Sequence, residues 1–311
     1  MLVVSRILIS GASGLIGSAL VSALEGRGNK VMRLVRRLPE KAHEIQWDPL
    51  REIPPETVSG FDVVVHLSGE SVAGRWTAAK KQQIRDSRIV NTQNLTRTLT
   101  RAENPPQTFL CASAVGYYGN RGEEILIEQG PAGAGFLPEV CREWEAATAP
   151  ASSARIRVVN LRFGIVLSPR GGALKQMLLP FRLGLGGRIG NGRQWWSWIH
   201  IDDVVGAILH ILDSEKLVGR PTSSPVDPLS GPVNLVSPNP VTNAEFTREL
   251  SSALKRPALL PIPAFAAKLA FGEFANEGLL ASARVAPKKL IESGFEFRFP
   301  ELGSALADLT T

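Results

Sequence analysis

The sequence predicts an α/β protein: a doubly wound parallel sheet with a smaller, mainly C-terminal α/β domain. Three observations lead there. The apolar run Val3-Val4-Ser5-Arg6-Ile7-Leu8-Ile9 feeds directly into a glycine turn. Through the first half, short strands almost continuous in apolar residues alternate with helical stretches, the pattern of a sheet covered on both faces. After Gly164 that alternation gives way to glycine-rich loops, at Gly171-Gly172 and at 184–192, and to a proline- and serine-rich stretch at 221–240.

The first strand, Arg6–Ser10, ends in Gly11-Ala12-Ser13-Gly14-Leu15-Ile16-Gly17. In a Rossmann turn the first glycine makes the bend, the second lets backbone approach a phosphate, and the third lets helix pack on strand. The helix that follows, Leu15–Gly26, turns its opening N–H groups and positive dipole end toward the same point. Gly11, Ser13, Gly14, Leu15, Ile16 and Gly17 are therefore the candidate pyrophosphate-binding residues. The alternative is a tight turn with no ligand. Further strands are expected at Lys30–Val35, Glu44–Gln46, Asp62–Leu67, Thr108–Ala112 and Val158–Arg162, with helices at Ala78–Ala102 and Glu139–Thr148.

Beyond them a helix is expected at Ala173–Phe181 and a short strand at Val233–Leu235. Thr242 and Glu245 have the spacing of a capping box, opening a helix that runs to about Lys255, and another helix covers Ala264–Phe271. The division is drawn as residues 1–165 for the nucleotide domain and 166–311 for the smaller one, with 199–212 a candidate return to the first.

Composition narrows the function classes. The chain has 311 residues, 44% hydrophobic and 21% charged, as ordinary globular proteins do. No apolar run approaches the ~18 residues of a spanning helix, so no membrane partner is expected. The first ten residues read as a strand and not as a signal sequence. Cys111 and Cys141 stand far apart and suggest neither a disulfide framework nor a metal site; a reducing cytoplasm fits. The net charge of +6 is spread along the chain without nucleic-acid-binding patterns, so the expected partner is a small molecule and not nucleic acid. The oligomeric state is left open.

The end of the second strand selects the cofactor. An acid there would bind the ribose 2′-OH of NAD, whereas arginine accommodates the 2′-phosphate of NADP. The chain has Arg36 and Arg37 and no acid, which favours NADP(H). The alternative is two surface charges before the turn at Pro39. Leu67 and Ser68, at the end of the fourth strand, are placed to touch the cofactor through backbone, while His66 reads as a packed sheet residue.

Together these segments resemble the short-chain dehydrogenase/reductase superfamily in its extended, epimerase-like form. The resemblance is carried by Gly11–Gly17, Asp62–Gly69, Cys111–Gly119 and Trp198-Ile199-His200-Ile201-Asp202-Asp203. Ser113-Ala114-Val115-Gly116-Tyr117-Tyr118-Gly119, Cys141-Arg142-Glu143-Trp144-Glu145 and 179–203 make it more similar still to the atypical YfcH-like (SulA-like) branch. The superfamily implies a serine with a Tyr-x-x-x-Lys pair, the lysine lowering a tyrosine pKa that is about 10 when free. By that resemblance Leu137 stands in place of the tyrosine, Cys141 in place of the lysine and Arg88 in place of an asparagine; only a serine, Ser113, remains.

Two readings stay open: an oxidoreductase or epimerase with substitute residues acting on a small polar or nucleotide-linked substrate, or an NADP(H)-binding sensor or scaffold without that chemistry. The candidate catalytic residues are Ser113, Tyr117 and Cys141, the last as a thiol lowered by its helix or by Arg142. Arg88, a charge on an inner helix face, calls for an anion such as the cofactor. The tryptophan-rich segment 191–200 supplies the candidate substrate residues Arg193, Gln194, Trp196 and His200. Its alternatives are tryptophans that pack between the domains, and Asp202-Asp203 as a helix start instead of an acid/base pair with His200.

Overall fold

The computed structural model describes residues 4–214 and 229–311. The start of the apolar run at Val3 and residues 221–228 of the proline-rich stretch lie outside the described residues.

In the first part, β1 (Arg6–Ser10), α1 (Leu15–Gly26), β2 (Lys30–Val35), β3 (Glu44–Gln46) and β4 (Val63–His66) are followed by α2 (Ala78–Asp86), α3 (Ile89–Arg101) and β5 (Thr108–Ala114). Next come β6 (Ile125–Leu126), α4 (Phe136–Ala146), α5 (Ala149–Ser153), β7 (Arg157–Phe163), β8 (Ile165–Leu167) and α6 (Gly172–Arg182). The remainder contains β9 (Trp195–Trp196), β10 (Trp198–His200), α7 (Ile201–Ser214), β11 (Gly231–Leu235), β12 (Val241–Thr242), α8 (Asn243–Leu254), α9 (Ala264–Phe271), β13 (Arg284–Val285), α10 (Lys288–Glu292) and α11 (Leu302–Thr310).

Seven strands form one parallel sheet in the order β11-β7-β5-β4-β1-β2-β3. The chain builds outward from β1 to β2 and β3, then returns to the other side of β1 for β4. Ligands in such sheets sit beyond the strand ends at that reversal. Because side chains alternate across a strand, Ile7 and Ile9 enter one core with Leu20, Leu24 and Val65, while Leu8 enters the other with Val64, Leu95 and Phe109. Each such fully buried aliphatic stabilises the fold by about 1.5–3 kcal/mol. Helix α7 closes the first core through Val204, Ile208 and Ile211 and packs on α1. A third core, around Leu174, Phe181, Trp196, Trp198, Phe246 and Leu306, belongs to the C-terminal part.

Two helices differ from the sequence reading. The helix expected at Ala78–Ala102 breaks at Ser87–Arg88, because Ser87 Oγ accepts the Glu70 N–H (2.9 Å) and Arg88 reaches back to Glu70 O (2.9 Å). The helix expected from Glu139 begins at Phe136, with Pro138 in its first turn, where no N–H is needed. Among the described residues no helix is long and apolar enough to cross a membrane, and no group of three His, Cys, Asp or Glu is placed to hold a metal.

Candidate functional site

The glycine turn sits at the sheet's reversal, between the ends of β1 and β4. Gly11 has φ +74°, and a Cβ on it would lie 2.7 Å from Leu67 C and 2.8 Å from Ser68 N. A Cβ on Gly17 would lie 2.2 Å from Gly11 O. Gly14 is the N-cap of α1, with extended backbone, and its N–H donates to Gly11 O at 3.0 Å. No side chain caps α1 and its first turn holds no acid. Its opening N–H groups, on Leu15, Ile16 and Gly17, are therefore available to an outside anion. Ser13 and Gly14 are exposed above them.

The neighbouring strand end is fixed from below. Ser10 Oγ lies 2.6 Å from His66 Nδ1 and 3.3 Å from Ser68 Oγ. Burial pushes His66 down to about 4, so its ring is neutral, and it meets the Trp47 ring edge-on at 5.8 Å. His66 thus packs and orders the Leu67–Ser68 backbone against which Gly11 rests.

The two arginines after β2 separate. Arg37 makes a two-pronged pair with Glu44 (2.8 and 2.9 Å), and this pairing holds the Glu44 carboxyl down at about 2. The expectation of Arg37 as a phosphate ligand is corrected accordingly: its guanidinium already has a carboxylate. Arg36 is exposed and makes no hydrogen bond or ion pair among the described residues. Arg88 lies under Gly69, where a Cβ would meet its guanidinium at 3.6 Å, and 5.1 Å over the Trp144 ring. Its Nη1 donates to Glu70 O and Ile84 O, and among the described residues it forms no ion pair, the Glu70 carboxylate acting on it only from farther off. Burial pushes its pKa down more than the Glu70 carboxylate raises it, and a partly buried charge with no ion-pair partner gains from a bound anion.

The turn after β5 carries the candidate chemistry, and here two expectations are corrected. Ser113 is buried and donates to Glu145 Oε1 at 2.7 Å. Glu145 in turn pairs with buried Arg162 through Nε (2.7 Å) and Nη2 (2.8 Å), and Arg162 Nη1 donates to the Tyr118 hydroxyl at 2.9 Å. Ser113 is thereby a member of an internal network, with its proton already committed. Cys141 is buried, and burial pushes its thiol up to about 12, more than nearby Arg88 can offset. The lowered thiol is thus replaced by an inert one. Leu137 and Cys141 do face the turn, since a Cβ on Gly116 would meet them at 3.5 and 3.8 Å. Tyr117 is half-buried, with the Arg162 guanidinium carbon 3.6 Å from its ring centre and its hydroxyl unbonded among the described residues.

The segment 191–200 is mostly core. Gln194 is buried and donates to Ile189 O and Leu279 O. Trp196 is buried edge-on to Phe246 at 5.3 Å. His200 is buried on Phe299 at 4.0 Å, its Nδ1 accepting the Asp202 N–H at 3.0 Å. Asp203 accepts the Arg298 and Phe299 N–H groups. The substrate roles expected of Gln194, Trp196 and His200 are corrected: all three are buried, Gln194 and Trp196 give their N–H groups to backbone carbonyls inside the C-terminal part, and His200 gives Nδ1 to the Asp202 N–H. Arg193 alone of the four is exposed.

With this geometry in view, comparison places the chain. A model described as the NAD dependent epimerase/dehydratase family matches residues 7–222, and a domain of unknown function, DUF1731, matches 262–309. The chain belongs to the NAD-dependent epimerase/dehydratase family. Epimerase family protein MT2273 of Mycobacterium tuberculosis is 45% identical over 98% of this chain and 97% of its own length. Human epimerase family protein SDR39U1, solved with NADPH, superposes with a TM-score of 0.86 at 33% identity, covering 98% of this chain and 99% of that one. A nucleoside-diphosphate sugar epimerase of Corynebacterium glutamicum gives 0.76 at 38% identity over 99% of this chain and 58% of that chain.

In this epimerase-family chain three features escaped sequence reasoning. Glu145 and Arg162 form the internal ion pair; the signal available was an arginine set between Leu161 and Phe163 near the end of the strand Arg157–Phe163. Ser10 supports the Leu67–Ser68 backbone through His66, with no signal beyond its place at a strand end. Glu277 accepts the N–H groups of Phe136 (2.9 Å) and Leu137 (2.7 Å), capping α4 from 140 residues away. No local pattern announces that contact.

Proposed function

We propose that this chain is an NADP(H)-dependent oxidoreductase or epimerase acting on a small polar or nucleotide-linked substrate without a Tyr-x-x-x-Lys pair. The observation that carries the reading is the uncapped N-terminus of α1, entered through glycines whose α-hydrogens leave no room for a Cβ. Free N–H donors, no competing acid and close backbone approach fit a dinucleotide pyrophosphate. The NADPH in the human relative's structure supports the same cofactor here.

The chain's own residues divide the work. The glycine turn, with Leu15 and Ile16, binds the pyrophosphate, and Leu67 and Ser68 border it. Arg36 meets the 2′-phosphate, and Arg88 offers its buried charge to the cofactor's anionic face. NADP(H) supplies the hydride at its nicotinamide ring. Tyr117 holds or moves the proton at the substrate oxygen, its ring held by Arg162. Arg193 faces solvent as a candidate substrate contact.

The test is NADPH oxidation across carbonyl compounds and sugar nucleotides. Turnover with one class is expected, and Tyr117→Phe lowers kcat by about 100-fold or more while NADPH affinity holds. Tight NADPH binding with no turnover on any member of the panel would contradict the enzymatic reading.

A further inference from the structure

The exposed apolar side chains of this chain are not scattered. Of the fourteen large hydrophobic residues that stand exposed among the described residues, nine fall in two short stretches, three in 179–185 and six in 259–271. The stretches adjoin. Gly190 N–H donates to Ile262 O and Ile262 N–H to Arg188 O, both at 2.8 Å. A Cβ on Gly187 would lie 1.7 Å from Leu260 O, so the two backbones touch there. Leu179 and Leu183 lead into this junction from α6, and Phe265 and Leu269 lead away from it on α9.

Charge is segregated onto the same stretches. No Asp or Glu occurs at 179–190 or 250–272, which carry two and three Lys or Arg. All five are exposed, and among the described residues none is in an ion pair. The acids flanking the second stretch are taken, Glu249 by Arg248 and Glu273 by Lys81. The whole chain carries a net +6, and these five cations equal most of it. Cations and apolar groups also share one cavity of about 390 Å³, where Arg188 and Arg248 line the wall with Pro257, Leu259 and Pro261.

Three occupants compete for such a face. A second copy, paired symmetrically, would set five cations against five. A partner protein would need pockets matched to the most exposed groups, Leu259 (81%), Phe265 and Leu269 (both 73%), which project from an irregular segment and a short helix. A bilayer interface accepts projecting apolar groups without shape matching and, when anionic, attracts basic residues around them. Pro257, Pro261 and Pro263 remove three N–H groups from the segment that would enter it.

We propose that this face docks on an anionic lipid bilayer, with the leucines and phenylalanine entering the interface and the surrounding arginines and lysines meeting lipid phosphates. Lying on a surface requires no spanning helix, so the absence of a spanning run in the sequence does not bear on it.

The test is co-sedimentation of the full chain with vesicles of phosphatidylcholine alone or mixed with phosphatidylglycerol. Binding only to the mixed vesicles, weakening as salt rises, is expected. Each basic residue near such a surface counts for about fivefold in partitioning, so Lys255→Ala with Arg256→Ala weakens it by roughly 30-fold. Leu259→Ser with Leu269→Ser abolishes it, while Leu38→Ser, at an equally exposed leucine elsewhere (72%), leaves it intact. Unchanged melting temperatures show that each variant is folded. No binding to either vesicle, or equal binding to both, overturns the proposal. So does dimerisation that Leu259→Ser abolishes, or capture of polyglutamate, without vesicle binding.

Discussion

Single residues decide the chemistry here, and His66 shows how. It lies under the strand end that supports Gly11, fully buried, and burial alone depresses its pKa from 6.5 to about 4. A histidine depressed in the folded state stabilises the protein fully above its unfolded pKa. That contribution is lost as pH falls from about 6.5 toward about 4. Between pH 7 and pH 5 it costs roughly 2 kcal/mol. Urea unfolding at the two pH values measures it, and His66→Gln should flatten that part of the slope. The same burial makes Cys141 inert, and a committed proton withdraws Ser113. Of the three catalytic candidates only Tyr117 keeps an unengaged functional group. Sequence cannot make that distinction, because all three are polar residues near one turn and their environments come from Glu145, Arg162 and α4.

At the scale of elements, the glycine turn is the most legible part of the chain. Its meaning is local: strand, bend and helix lie within residues 6–26, and α1 begins and ends where expected. The steric argument there makes a paired prediction. Gly17→Ala forces a Cβ to within 2.2 Å of Gly11 O. It should cost about 1–3 kcal/mol in stability and destroy NADPH binding. Gly26→Ala, in the same helix with nothing within 4 Å, should instead stabilise by about 0.5–1 kcal/mol. Thermal denaturation with and without NADPH reads both. Where elements depart from the local pattern, the cause lies outside the local window. The break between α2 and α3 comes from Glu70, and the early start of α4 from Glu277. The segment 191–200 departs from the pocket expectation for a different reason. Tryptophans with a few polar neighbours look alike in sequence whether they line a pocket or fill a core, and here Trp196 and Trp198 fill one.

The whole molecule places a reversal of strand order beneath an uncapped helix, with two guanidinium groups near it that form no ion pair among the described residues and share only the more distant Glu70 carboxylate. Arg36 and Arg88 come from different parts of the sheet's periphery, and a single anionic cofactor would satisfy both. The C-terminal part is tied across to the sheet domain through Glu277 on α4, Lys81 with Glu273, and Arg75 with Leu269 O. Isothermal calorimetry with NADPH and NADH tests the central claim most directly. NADPH should bind at least about tenfold more tightly than NADH, as a phosphate–guanidinium contact requires. Arg36→Asp should remove that preference, whereas Arg37→Ala, which breaks a pair with Glu44, should keep it. Equal affinities in the unaltered protein, or no heat with either coenzyme, would contradict the account.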